Sequence, residues 1–286
     1  MGRSSSPIDK GYLFQEYRDL VAIYSRRQLS FESDKFHAFS GLARRLHPYL
    51  GDYVAGCWVD DIKAGLLWFP DLGFCRHVEK YRAPSWSWAS TDDRVLWYHV
   101  SQDPLPSSSL QMRLVDYTIT PRRPGDLFGE VINGHLVVDA LMFPLGRSSQ
   151  ITNAFLFPMN TVGDAYYDDP EEEDDQDEGA CKDILEIKAE DGLFYLVSFG
   201  VDYSIRDLDC LEPDMDKLSR YEYKMMLVHL EDEVEGSDAR RLAKCLILLR
   251  VDDADEDVYK RVGLAILHDP EPALMAGWMR KIITLV

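Results

Sequence analysis

Ser85-Trp86-Ser87-Trp88-Ala89 is the stretch at which the sequence pattern of this chain changes from that of helices to that of strands. Before Pro84, apolar residues recur at helical spacing, and after it they alternate with small residues. Side chains of a strand point alternately to opposite faces, so the alternation predicts a strand with both indoles on one face. We expect that face to fill a core. The alternative is an aromatic platform for a ligand.

Three amphipathic helices are predicted on the N-terminal side of this stretch. The first covers residues 9–26. The second begins at Asp34, which we interpret as an N-cap, and Pro48 closes it. The third ends near Trp68, before Pro70. Their apolar stripes consist of Leu13, Tyr17, Leu20, Val21 and Tyr24, then Phe36, Phe39, Ala43 and Leu46, then Trp58, Ile62, Leu66 and Leu67.

Strands are predicted along most of the chain beyond residue 90. Asn133-Gly134 and Asp191-Gly192 predict type I′ hairpin turns, because both central residues of such a turn need a positive φ. Another hairpin is predicted over the acidic loop at 252–257, and a short helix at 273–280. The predicted strands are 95–100, 114–120, 128–132, 135–142, 184–189, 193–199, 225–230, 246–251, 259–267 and 282–286.

Together these patterns predict an α+β fold, in which a helical segment (1–80) packs on a mostly antiparallel β-barrel or β-sandwich domain (81–286). Residues 168–178 are nearly all Asp and Glu, without Lys or Arg. Because like charges repel, we expect a disordered loop at about 164–180. A calcium site is not favoured, since the spacing of an EF-hand loop is missing. Binding of this loop to a basic partner stays open.

The composition argues against several classes of partner. A net charge of −19 and a pI of about 4.7 disfavour nucleic acid and anionic membranes. No apolar run approaches the roughly 20 residues that span a bilayer, and no signal peptide is evident. The five cysteines are odd in number and widely spaced, which predicts free thiols in a reducing compartment. We therefore expect a cytoplasmic protein.

Known catalytic and cofactor motifs are absent from the sequence. It contains no G-x-S-x-G, no phosphate-binding loop, no G-x-G-x-x-G and no H-E-x-x-H. Cys75 and His77 form a lone C-x-H without a second ligand pair, which does not suffice for zinc. We predict no catalytic residues, no metal site and no cofactor, and we expect that the chain is not an enzyme.

Three stretches resemble the region that follows the HET domain in fungal heterokaryon-incompatibility proteins. They lie within 20–43, 53–68 and 81–90. The third is the most specific: Tyr81-Arg82-Ala83-Pro84-Ser85-Trp86-Ser87-Trp88-Ala89-Ser90. The resemblance is close over 17–95 and weaker over 244–286. The HET domain's own A-L-S-Y-x-W-G and W-I-D-x-x-C-I-N-Q segments do not occur.

This resemblance implies a role in fungal non-self recognition and programmed cell death. Because the effector domain is missing, we expect a truncated or regulatory fragment that contacts a HET-type effector or another incompatibility protein. Its candidate binding residues are Arg82, Trp86 and Trp88. Arg82 could stack on an indole or clamp a carboxylate, although a structural role is expected. The alternative is a small-molecule-binding or hydrolytic β-domain with a site near Trp86 and Trp88.

Overall fold

The computed structural model describes residues 9–27, 34–71, 80–98, 110–145, 154–158, 223–235, 238–251, 257–268 and 275–286. Over these residues the protein has few helices and one large, mostly antiparallel sheet. Several predictions lie outside them: the Asp191-Gly192 hairpin and its two strands, the acidic loop at 164–180, and the Cys75–His77 pair.

The first helix, α1, spans Lys10–Ser25 and confirms the prediction. Asp9 caps it, because its carboxylate accepts hydrogen bonds from the backbone amides of Gly11 (2.9 Å) and Tyr12. Leu20 was expected on the buried stripe but is exposed, so the buried face is rotated away from it. The buried residues are Phe14, Tyr17, Arg18, Val21 and Ser25.

The second helix, α2, spans Asp34–Leu50 and buries Phe36, Phe39 and Ala43 as predicted. It passes Pro48, the predicted end, by two residues. A proline in the last turn removes only one hydrogen bond, so the helix tolerates it there. Gly51 follows directly after the last helical residue and terminates the helix. Its φ of 86° is left-handed, and its amide donates to the His47 carbonyl at 3.1 Å.

The predicted third helix is confirmed only for the short segment Val59–Gly65, a 3₁₀ turn followed by one α-helical turn, and is wrong for the residues beyond it. Only the single turn α3, Ile62–Gly65, is α-helical. Around it lie the hairpin of β1 (Tyr53–Val54) and β2 (Cys57–Trp58), and β3 (Trp68–Pro70), which pairs with β4 (Val95–Trp97). Nearly every apolar side chain in this region is buried. The spacing of apolar residues along the sequence therefore does not distinguish a helix from short strands here.

The predicted strand at 85–89 is also wrong. A turn there leads into a 3₁₀ turn, Trp88–Ser90. The Ser87 amide donates to the Pro84 carbonyl at 2.9 Å, and the Ser87 hydroxyl accepts from the Ala89 amide at 3.1 Å. Such local hydrogen bonds compete with a strand ladder. Both indoles are nevertheless buried.

The large sheet has the strand order β11-β10-β9-β8-β6-β5, with β7 beside β10 and β11 also beside β6. All pairs are antiparallel except β10–β11. The pairings thus form a circuit from β6 through β8, β9, β10 and β11 back to β6. That these strands form a barrel or a sandwich stays a prediction. The strands are β5 (Arg113–Pro121), β6 (Val131–Leu145), β7 (Ala154–Pro158), β8 (Tyr223–Glu235), β9 (Asp238–Arg250), β10 (Val258–His268) and β11 (Met279–Leu285).

The predicted hairpin turn at Asn133-Gly134 is wrong, because β6 runs straight through it. Gly134 pairs with Ile119 of β5, and the β5–β6 connection lies at 122–130 instead. A Cβ on Gly134 would lie 2.8 Å from Pro84 Cγ. This glycine therefore makes room for Pro84, a contact that local sequence does not reveal.

Most of the other strand predictions that fall on described residues are confirmed. Strands within 114–120, 225–230 and 282–286 are confirmed, as is the β9–β10 hairpin. The strand at 95–100 is confirmed for Val95–Trp97. The helix at 273–280 is wrong at its end, since β11 begins at Met279.

The larger core contains side chains of α1, α2 and one face of the sheet, and we call that face the inner face. A second core lies on the outer face of β8, β9 and β10. Arg261 of β10 lies over the Trp68 ring, 4.1 Å from its centre, and donates to the Trp68 carbonyl.

In the part of the chain that is described, no helix is both long and apolar enough to cross a membrane.

Candidate functional site

Trp88, one of the predicted binding residues, is completely buried. Its Nε1 donates to the Gly56 carbonyl at 2.8 Å, and the Tyr17 hydroxyl donates to the same oxygen at 2.9 Å. The ring contacts Phe39 edge-on at 5.8 Å. Gly56 has φ 97°, and a Cβ there would lie 2.6 Å from Trp88 Nε1. Trp88 thus joins both helices to the β1–β2 turn.

Arg82, the second predicted residue, is about nine-tenths buried. Its Nε donates to the Ala89 carbonyl at 2.7 Å, and one terminal nitrogen lies 2.6 Å from the Asp92 carboxylate. Lys35 of α2 approaches the same carboxylate at 4.0 Å and donates to the Thr91 carbonyl. Arg82 therefore clamps a carboxylate, as one sequence interpretation proposed, but the carboxylate belongs to the chain itself.

Trp86, the third predicted residue, is completely buried, and its carbonyl accepts from Trp68 Nε1 at 2.9 Å. Its neighbour Ser85 connects this segment to the sheet. The Ser85 hydroxyl donates to the Val286 carbonyl and accepts from the Arg261 amide at 2.8 Å. The Ser85 amide donates to the same Val286 oxygen at 3.1 Å. The segment thus lies between β10 and the end of β11.

A buried polar cluster that the sequence interpretation missed lies at one end of the inner face. The register places His229 of β8 opposite Lys244 of β9, beside a bulge at Leu227/His229. Lys244 is ion-paired with Glu231, and His229 Nε2 lies 3.2 Å from Glu231 Oε2. All of these side chains are more than nine-tenths buried, which favours a structural role over contact with a substrate.

Gln111 completes this cluster and orients the imidazole. Its Nε2 donates to the Leu230 carbonyl at 2.8 Å, so its Oε1 faces His229 Nδ1 at 2.9 Å. Because that oxygen can only accept, Nδ1 donates this hydrogen bond. The sequence contained a signal for this cluster, because Lys244 interrupts a row of apolar residues on the inner face of β9. That row consists of Leu242, Leu246 and Leu248.

A second polar group lies near the start of β10. The Tyr259 hydroxyl accepts from Lys224 at 2.8 Å and donates to Asp257 at 3.2 Å, and Lys281 lies 3.2 Å from the same carboxylate. Asp257 has a left-handed φ of 69°. These contacts tie the starts of β8 and β10 to β11, and each charged group is already bound to a protein group.

Burial perturbs the ionisable groups around α3. It raises the pKa of Asp61 to about 6, although the ion pair with Arg18 of α1 opposes this shift. It also raises the pKa of the Cys57 thiol to about 12, so this cysteine is an unreactive thiol at neutral pH. Cys57 and Cys245 are both free and buried.

Among the described residues, no group of three or more His, Cys, Asp or Glu is placed to hold a metal ion. Comparisons with models of protein families, with curated proteins and with solved structures find no match for this chain.

Proposed function

We propose that this chain is a non-enzymatic regulatory or interaction module of a HET-type non-self recognition protein. The observation that supports this proposal is the state of Arg82, Trp86 and Trp88. All three are buried; Trp86 and Trp88 are hydrogen-bonded to Trp68 and Gly56, and Arg82 is bonded within its own segment, to Ala89 and Asp92. The stretch with the most specific resemblance thus holds the fold together and leaves no open aromatic platform.

Exposed apolar side chains add to this argument. Protein partners are commonly recognised through such residues when they cluster on one face. One set lies on α1 and another on the outer face of β5 and β11. Tyr12, Leu20 and Ile23 form the set on α1, and Val115 and Ile282 form the set on the sheet.

The proposed partner is a HET-type effector domain or an incompatibility protein, met in the cytoplasm. The free, buried thiols of Cys57 and Cys245 suit a reducing compartment. In a direct test, the purified chain is titrated into a separately produced HET-type effector domain by isothermal calorimetry. We expect saturable binding at about micromolar concentration. An absence of heat at 100-fold higher concentration, supported by a negative pulldown, would contradict the proposal.

The second candidate function is a small-molecule or hydrolytic site beside Trp88. The observation in its favour is the convergence of Lys35, Arg82 and Asp92 near the indole, with the Lys35 ammonium 5.8 Å from the ring centre. The burial of both cations opposes it, since a ligand would have to displace Asp92. Ester hydrolysis that is lost in Asp92→Asn but retained in Asp71→Asn would support this candidate.

A further inference from the structure

One edge of β5 faces away from the rest of the sheet. Among the strands that the structure describes, β5 pairs with β6 alone, and we call its other side the open edge of β5. Every side chain of this strand is exposed or half-buried, and Val115 is 55% exposed. An unpaired edge presents backbone amides and carbonyls to which a strand of another molecule can pair.

The alternation of the backbone shows which nitrogens lie on the open edge of β5. The Arg122 amide, directly after the strand, donates to the Glu130 carbonyl at 2.7 Å and so faces the segment that leads into β6. Amides of successive residues in an antiparallel strand point to opposite sides. The amides of Tyr117 and Ile119 and the nitrogen of Pro121 therefore point toward the open edge.

At two of these three positions no amide is available to a new strand. The Tyr117 amide already donates to the carboxylate of the preceding residue, Asp116, at 2.8 Å. Pro121 has no amide hydrogen. In addition, the register shifts between Leu114 and Asp116, so that Val115 is an extra residue without a partner on β6. Such a bulge twists the strand and disrupts the regular ladder.

We infer that Asp116 protects the open edge of β5 against pairing with a strand of a second copy of this chain. Its carboxylate occupies the Tyr117 amide, and it places a charge at the edge that an added strand would have to desolvate. The bulge at Val115 and the missing amide of Pro121 act in the same direction. This inference goes beyond the proposed function, because it concerns association of the chain with itself and needs no other protein.

The test compares three variants of the full chain by analytical ultracentrifugation over a range of concentrations. Asp116→Val removes both the bond to the Tyr117 amide and the charge. Asp116→Asn removes the charge alone, because the side-chain oxygen of asparagine can still accept that bond. Thr118→Val is the matched control, since it places the same valine at an exposed position on the same face of β5. Circular dichroism and thermal unfolding check that each variant folds.

We expect Asp116→Val to raise the association constant for dimers at least tenfold, whereas Asp116→Asn and Thr118→Val stay within twofold of the unmodified chain. Adding Val115→Lys to Asp116→Val should reverse the association, because lysine on an edge strand hinders pairing. This addition brings the net charge closer to zero, so general charge repulsion would not produce the reversal.

An Asp116→Val protein that associates no more than the unmodified chain would overturn the inference. Equal association of Asp116→Val and Thr118→Val would also overturn it, because an exposed valine would then be sufficient. If Asp116→Asn associates as strongly as Asp116→Val, the bond to the Tyr117 amide does not protect the edge and the inference fails. None of these outcomes bears on binding to the proposed partner.

Discussion

At the scale of single residues, the aromatic core depends on Gly56. Its φ of 97° lies in the left-handed region, and its carbonyl accepts both the Trp88 indole and the Tyr17 hydroxyl. Only a residue without a Cβ can adopt this backbone and let the indole approach so closely. The core of α1, α2 and Trp88 is therefore built around one backbone carbonyl.

Replacing Gly56 with alanine should lower the free energy of unfolding by about 3 kcal/mol, because backbone strain and a clash with Trp88 Nε1 add. Urea denaturation measures the change. The matched control is Gly41→Ala in α2, where a Cβ meets nothing within 4 Å and should stabilise by about 0.5–1 kcal/mol. Equal effects at the two glycines would contradict this account.

The second residue-scale prediction concerns the pH dependence of stability. Burial raises the pKa of Asp61 in the folded protein to about 6, from an ordinary value of 3.8. Between these values the folded state binds more protons than the unfolded state, so stability falls as pH rises from about 4 to 6. The loss is at most about 3 kcal/mol.

Asp61→Asn should remove this part of the pH dependence, measured as the change in unfolding free energy between pH 4 and pH 7. Asp60→Asn is the control, because its more exposed carboxylate pairs with Lys10 at the surface. That variant should keep the pH dependence. An Asp61→Asn protein with an unchanged pH profile would show that the carboxyl titrates normally.

At the scale of elements, the β8–β9 pair carries a buried ion pair on the inner face of the sheet. Glu231→Gln should destabilise the protein by about 3 kcal/mol, because the Lys244 ammonium stays buried and loses its ion pair with Glu231. The double variant Glu231→Leu with Lys244→Met should recover most of this loss, since apolar side chains of similar size suit the site.

Chemical denaturation of the single and double variants tests this expectation. Lys10→Gln serves as a control, because its ion pair with Asp60 is more than half exposed and should contribute less than about 1 kcal/mol. If the double variant is as unstable as Glu231→Gln, the pair is required for the register of β8 and β9, including the bulge beside His229.

At the scale of the whole molecule, Ser85 connects the segment that carries Trp86 and Trp88 to two strands of the sheet. Ser85→Ala removes the hydrogen bonds to the Val286 carbonyl and from the Arg261 amide. We expect a loss of about 2 kcal/mol, because the Arg261 amide is left without its hydroxyl acceptor.

The unfolding transition of Ser85→Ala should also broaden, with tryptophan fluorescence changing before the far-ultraviolet signal of the sheet. Ser40→Ala is the control, since that hydroxyl bonds only within α2, to His37. Its effect should stay within about 0.5 kcal/mol. Coincident transitions in Ser85→Ala would show that this contact does not couple the two regions.

Periodicity in the sequence was sufficient for α1, α2 and β11, because each has one face in the core and one outside it. The strands β8, β9 and β10 are buried on both faces, and short apolar runs in the sequence indicated them. Periodicity failed for α3, where apolar side chains are buried on all sides. It also failed for 85–89, where serine hydroxyls bind neighbouring amides and the alternation of Trp with Ser reflects a turn.

The sequence alone therefore determined the α+β composition, the amphipathic helices and the burial of the two indoles. Only the tertiary structure shows that Gly134 makes room for Pro84, that Arg82 is ion-paired with Asp92, and that Lys244 is ion-paired with Glu231. The physical reason is that hydrophobic periodicity is a local property of the chain. The close approach of Pro84 to β6 and the pairing of buried charges join residues that are distant in sequence.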